Sequence, residues 1–122
     1  MTVWIDGTLV PAGEARISVL DHGLTTGDGV FEALKIAGGV PFALTRHLDR
    51  LRASAAGLGL PEPGCDRIRA GVAAVLAAAG HPAGGRIRIT VTAGEAALGS
   101  ERPVVAQPGP DNGVGAARGA AG

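Results

Sequence analysis

The groups able to do chemistry in this chain are a few cations and one glycine-rich loop. Asp21-His22-Gly23-Leu24-Thr25-Thr26-Gly27-Asp28-Gly29 holds three glycines within seven residues and runs straight into Val30-Phe31-Glu32-Ala33-Leu34-Lys35. A basic block, Arg46-His47-Leu48-Asp49-Arg50-Leu51, follows a short way on, and later Arg86 and Arg88 alternate with Ile87 and Ile89. A guanidinium offers bidentate hydrogen bonds to an oxyanion and stays charged. Arg50, Arg86 and Arg88 would therefore make an anion site if they converged in space. Taken singly, a helix arginine more often pairs with a carboxylate on a solvated face, and strand arginines commonly face water.

Other reactive types point to less. Gly27-Asp28-Gly29 is neither a dinucleotide fingerprint nor a phosphate loop, since no G-x-G-x-x-G and no Walker lysine follow. His22, His47 and His81 lack metal-ligand spacing, so no metal site is expected. Ser18, Ser54 and Ser100 lack a nucleophile-elbow context. Cys65 is alone, which excludes an intramolecular disulfide; its place near a helix start could lower its pKa, but a passive thiol is the ordinary reading. Lys35 is the single lysine.

The elements that must position these groups can be read from periodicity. Asp6-Gly7 between Val3-Trp4-Ile5 and Thr8-Leu9-Val10 predicts a hairpin, and Arg16 to Leu20 a third strand. Val30–Ala37 and Val40–Ala43 around Gly38-Gly39 predict a second hairpin whose later arm Pro41 weakens. That strand puts Phe31, Ala33 and Lys35 on one face and Glu32 on the other. Leu44, Leu48, Leu51, Ala55 and Leu58 recur at helical spacing, with Thr45 as N-cap; Ile68, Val72, Val75 and Ala79 mark a second helix capped by Asp66. Arg86 to Thr92 alternates as a half-buried strand. The fold class expected is α/β (α+β), a small antiparallel or mixed sheet with two helices on one face, over residues 1–99. Residues 100–122, rich in Gly, Ala and Pro, are expected to be a disordered tail with Val104-Val105-Ala106 its only strand candidate.

Size and charge narrow the class. The 122 residues suffice for one domain, and eleven basic side chains balance eleven acidic ones, which argues against nucleic acid or a membrane surface as partner. The N-terminus lacks the features of a signal peptide, and no apolar run approaches a membrane span, so a soluble, cytoplasmic protein is expected.

The glycine loop and its strand, together with His47-Leu48-Asp49-Arg50-Leu51, resemble the class IV aminotransferases, the fold-type IV pyridoxal-phosphate enzymes. Within them the resemblance is to the aminodeoxychorismate lyase and branched-chain aminotransferase branch. It covers roughly residues 3–99 and implies an N-terminal domain of such an enzyme, with pyridoxal 5'-phosphate as cofactor. It further implies an amino acid or an aminodeoxychorismate-type molecule as substrate, and a homodimer in the complete enzyme. Arg50 matches the arginine that holds the cofactor phosphate. Thr26, Phe31 and Lys35 match positions bordering the substrate pocket, where many relatives carry an aromatic residue in place of Thr26. Arg88, with Arg86 beside it, resembles a strand position that binds substrate carboxylates. The family's Schiff-base lysine lies in a second domain, so Lys35 does not match it and no catalytic residue is assigned. The expectation is a chain truncated before that lysine and inactive alone. The alternative is a non-catalytic remnant, a dimerisation or anion-binding half-domain.

Overall fold

The computed structural model describes residues 1–96 in full and residues 113–119 as backbone. Two antiparallel strands, β1 (Thr2–Ile5) and β2 (Thr8–Pro11), open the chain. Asp6 and Gly7 have φ of 53° and 90°, the paired positive values of a two-residue hairpin turn. A single helical turn, α1 (His22–Thr25), precedes β3 (Gly29–Ala37), which turns through Gly38-Gly39 into the two-residue β4 (Val40–Pro41). Two helices follow, α2 (Leu44–Gly57) and α3 (Cys65–Ala78), then β5 (Gly84–Thr92) and β6 (Gly113–Gly119). Among the described residues the strands form one antiparallel sheet in the order β2-β1-β6-β5-β3-β4.

Burial in β3 alternates without a break, with Val30, Glu32, Leu34 and Ile36 inside and Phe31, Ala33 and Lys35 outside. Val30, Leu34 and Ile36 join Ile87, Ile89 and Val91 of β5 in a core completed by Leu48, Leu51 and Ala55 of α2 and Ile68, Val72, Val75 and Leu76 of α3. Both long helices thus cover one face of the sheet, as the alternation predicted. The other face, carrying Phe31, Ala33, Lys35, Arg86 and Arg88, is exposed.

Several expectations need correction. Arg16 to Leu20 is not a strand, because the Ser18 hydroxyl accepts from the Leu20 amide at 3.0 Å and the Ser18 carbonyl from the Asp21 amide at 3.1 Å, turning the chain there. Within the glycine loop Asp21 caps the short α1 by accepting from the Gly23 amide at 2.7 Å, an element that the sequence reading did not name. Thr45 is not the cap of α2; Ala43, at φ 55°, holds that position, and the Thr45 hydroxyl instead accepts from Arg69 Nη2 at 2.8 Å. Gly64 precedes α3, leaving Asp66 within its first turn, where its charge still suits the helix N-terminus. Gly113–Gly119, expected in the unstructured tail, runs as β6 between β1 and β5. A strand there pairs the backbone of both neighbours, a gain that side-chain periodicity does not register. Val104-Val105-Ala106 lies outside the described residues.

Cys65 begins α3 beside Arg52 and Arg69, yet its thiol pKa is raised: burial is the largest cause, with Glu62 and Asp49 adding to it and the two arginines opposing. Alkylation of Cys65 by a maleimide at neutral pH is therefore expected to be slower than that of an unstructured cysteine peptide. A faster rate would show that the helix terminus and arginines outweigh burial.

Candidate functional site

The predicted site residues fall into two groups on opposite faces of β3. Arg50 stands on the helix side, 71% exposed, with its Nε 3.4 Å from Glu32 Oε1. His47, one turn earlier on α2, brings Nδ1 to 2.9 Å from the same oxygen. Glu32 is only 8% exposed and shares its face with Val30, Leu34 and Ile36, so its carboxylate is held among apolar neighbours by these two partners. Neither partnership was predicted. The available signal was a charge at an inward position of an otherwise apolar strand face, which burial tolerates only with a partner.

On the outer face the ladder sets Phe31 opposite Thr90, Ala33 opposite Arg88 and Lys35 opposite Arg86. The Arg88 guanidinium lies 4.1 Å from the Phe31 ring centroid and its Nε donates to the Thr90 hydroxyl at 3.2 Å. The Lys35 ammonium stands 4.5 Å from the Phe42 ring centroid. The backbone register sets Arg118 of β6 opposite Arg86. Lys35 and Arg86 are like charges directly across the ladder, which destabilises a sheet, and an anion over that pair would relieve the repulsion. Arg86 and Arg88 thus come together with Phe31 and Lys35, whereas Arg50 does not share their face. The anion module that required Arg50, Arg86 and Arg88 to converge is therefore not formed.

The two groups are separated by one strand edge. β3 pairs with β5 along its whole length, but β4 covers its other side only at Ile36 and Ala37. Among the described residues, the edge from Gly29 to Leu34 has no strand beside it.

The glycine loop ends near this region and is pinned from below. Asp21, besides capping α1, accepts from the Thr92 hydroxyl at 3.0 Å, and the His22 amide donates to the Gly94 carbonyl at 2.9 Å. Gly23 lies so near Thr92 that a Cβ there would collide with the threonine methyl. His22 is fully buried, its Nδ1 3.5 Å from Asp28 Oδ2. The Thr26 hydroxyl lies 3.0 Å from the His22 carbonyl and 3.1 Å from Asp28 Oδ2, so it serves the loop while Thr26 itself remains exposed.

Elsewhere, a cleft of about 350 Å³ opens beside α2, lined by Asp49, Arg52, Ala56, Leu60 and Glu62. Arg52 and Glu62 pair across it at 2.6 Å, so its one cation is already engaged. Among the described residues no His, Cys, Asp and Glu group is arranged to hold a metal, and no helix is long and apolar enough to cross a membrane.

The donor set suits a phosphate. Among the described residues the one ion pair of Arg50 is made through Nε, which leaves the two terminal nitrogens of an exposed guanidinium for a bidentate oxyanion. Comparison with known proteins bears on the family and the fold. The model of the family described as Amino-transferase class IV matches residues 29–112. Over 63 residues the chain is 44% identical to a Methanocaldococcus jannaschii protein named as a branched-chain-amino-acid aminotransferase, covering 52% of this chain and 22% of that one. The solved 4-amino-4-deoxychorismate lyase from Pseudomonas aeruginosa matches at a TM-score of 0.72 and 33% identity, over 97% of this chain and 39% of that chain. A hypothetical aminotransferase from Mycobacterium tuberculosis in its PLP-bound form matches at 0.79 and 25%, over 98% and 39%. The chain thus spans well under half the length of the relatives it matches.

Proposed function

We propose, for a chain that belongs to the class IV aminotransferases, that Arg50 anchors the phosphate of pyridoxal 5'-phosphate at the open edge of β3, within a PLP-dependent aminotransferase or lyase. The observation that carries this reading is the exposed Arg50 fork, held among the described residues only through Nε. Pyridoxal phosphate, the cofactor of this family's enzymes, supplies an electron sink for chemistry at the carbon bearing the amino group. The chain's own part is binding and orientation. Arg50 fixes the phosphate, while Phe31, Lys35, Arg86 and Arg88 form a cationic, aromatic face that suits a substrate carboxylate. Arg88 is already directed there by Phe31 and Thr90. We assign Thr26 to the border of the same pocket on the family resemblance alone. The substrate we propose is an amino acid or an aminodeoxychorismate-type molecule, and the assembly a cytoplasmic homodimer.

Arg50→Ala is expected to weaken pyridoxal phosphate binding about 10- to 100-fold, the size of one charge-assisted hydrogen-bonding partner lost. Isothermal titration of parent and variant gives the comparison directly. Equal affinities would remove Arg50 from the phosphate site.

A further inference from the structure

Glu32 is a buried carboxylate on a strand face whose other inward residues are Val30, Leu34 and Ile36. A sheet position that served packing alone would carry another aliphatic side chain, because burying a carboxylate is costly unless it is paired. Its Oε1 takes both His47 Nδ1, at 2.9 Å, and the Nε edge of Arg50, at 3.4 Å. The guanidinium is planar, so restraining the Nε edge also restrains the direction of the two terminal nitrogens. His47 in turn holds the carboxylate against rotation.

Resting on the reading that Arg50 binds phosphate, we propose that Glu32, held by His47, is a positioning residue that aims the Arg50 fork at the cofactor phosphate. Simple electrostatics makes the opposite demand. A carboxylate beside the phosphate-binding cation lowers the net positive charge the phosphate meets, so removing it should tighten binding. Orientation predicts a loss. The two effects differ in sign, and packing alone moves neither.

The test is titration of the full chain with pyridoxal phosphate and with inorganic phosphate, with thermal midpoints recorded for each variant. Glu32→Ala is expected to weaken both affinities roughly tenfold, as removal of an orienting partner commonly does. Glu32→Gln keeps an acceptor at Oε1 and is expected to stay within about threefold of the parent. In an Arg50→Lys background, which has neither Nε nor a fork to aim, Glu32→Gln is expected to tighten binding instead. Unchanged or tighter binding by Glu32→Ala, with Arg50→Ala still weak, overturns the positioning role and leaves Arg50 in place. Should Glu32→Ala not fold, tightening by Glu32→Gln in both the parent and the Arg50→Lys backgrounds overturns it equally. If Arg50→Ala binds as the parent does, the phosphate reading fails before Glu32 is in question.

Discussion

Gly115→Pro is expected to lower the thermal unfolding midpoint by more than about ten degrees, and ending the chain before Gly113 is expected to lower it further. Gly115 stands opposite Trp4 on one side and Ile89 on the other, in the strand that joins the two halves of the sheet. Among the described residues, the β1–β2 hairpin reaches the remaining strands only through β6. Proline there removes a ladder donor and sets a ring inside a central strand, a position where sheets do not accept it. Removing β6 altogether leaves the facing edges of β1 and β5 unpaired, and a detached two-stranded hairpin is marginal in water. Trp4 belongs to the shared core and would lose its fixed place. A loss of about 3 kcal/mol already shifts a domain of this size by roughly 10–20 °C. Circular dichroism melts of the three chains measure it. Coincident midpoints would mean that Gly113–Gly119 adds nothing to the folded state.

This outcome reverses what the sequence suggests for the same segment. Gly113-Val114-Gly115-Ala116-Ala117-Arg118-Gly119 has neither the alternation of a half-buried strand nor the bulk of a buried one, so side-chain pattern assigns it to a tail. Its place comes from the backbone needs of β1 and β5, which reside in other residues. Ile87, Ile89 and Val91, by contrast, stand where the alternation of β5 puts its inward side chains. They are nearly or fully buried beneath the helices, and the open face is the one with Phe31, Lys35, Arg86 and Arg88. Where a feature depends on local spacing it was legible: the Asp6-Gly7 and Gly38-Gly39 turns, the faces of β3 and β5, and the apolar stripes of α2 and α3. The candidate site divides in the same way. Arg50 and the arginines of β5 are visible as residue types at recognisable spacings, but their separation by the edge of β3 requires the three-dimensional arrangement. Glu32 was visible as an outlier on an apolar face, while its partners were fixed only when α2 packed across β3.

Trp4 and Gly71 form a contact whose energetics should change sign with context. Trp4 is 7% exposed and lies against α3, where a Cβ placed on Gly71 would come within 2.9 Å of the indole ring. Trp4→Ala is expected to cost about 3–5 kcal/mol, the usual loss for a large aromatic in a core. Gly71→Ala faces two opposing effects. Alanine is worth roughly 0.5–1 kcal/mol over glycine within a helix, whereas forcing a methyl group into a packed contact costs about 1–3 kcal/mol. The clash is the larger, because the obstacle is a rigid ring and not the end of a flexible chain, so the single variant should be destabilised. Once Trp4 is alanine the obstacle is gone and the helix preference is left. Gly71→Ala should then stabilise the Trp4→Ala protein by a few tenths to about 1 kcal/mol, and the cycle should show coupling of about 1–3 kcal/mol. Urea denaturation of the four proteins supplies the four free energies. Additive effects would mean that the indole ring yields to the methyl group at no cost and that Gly71 is not required by the packing of α3 on β1.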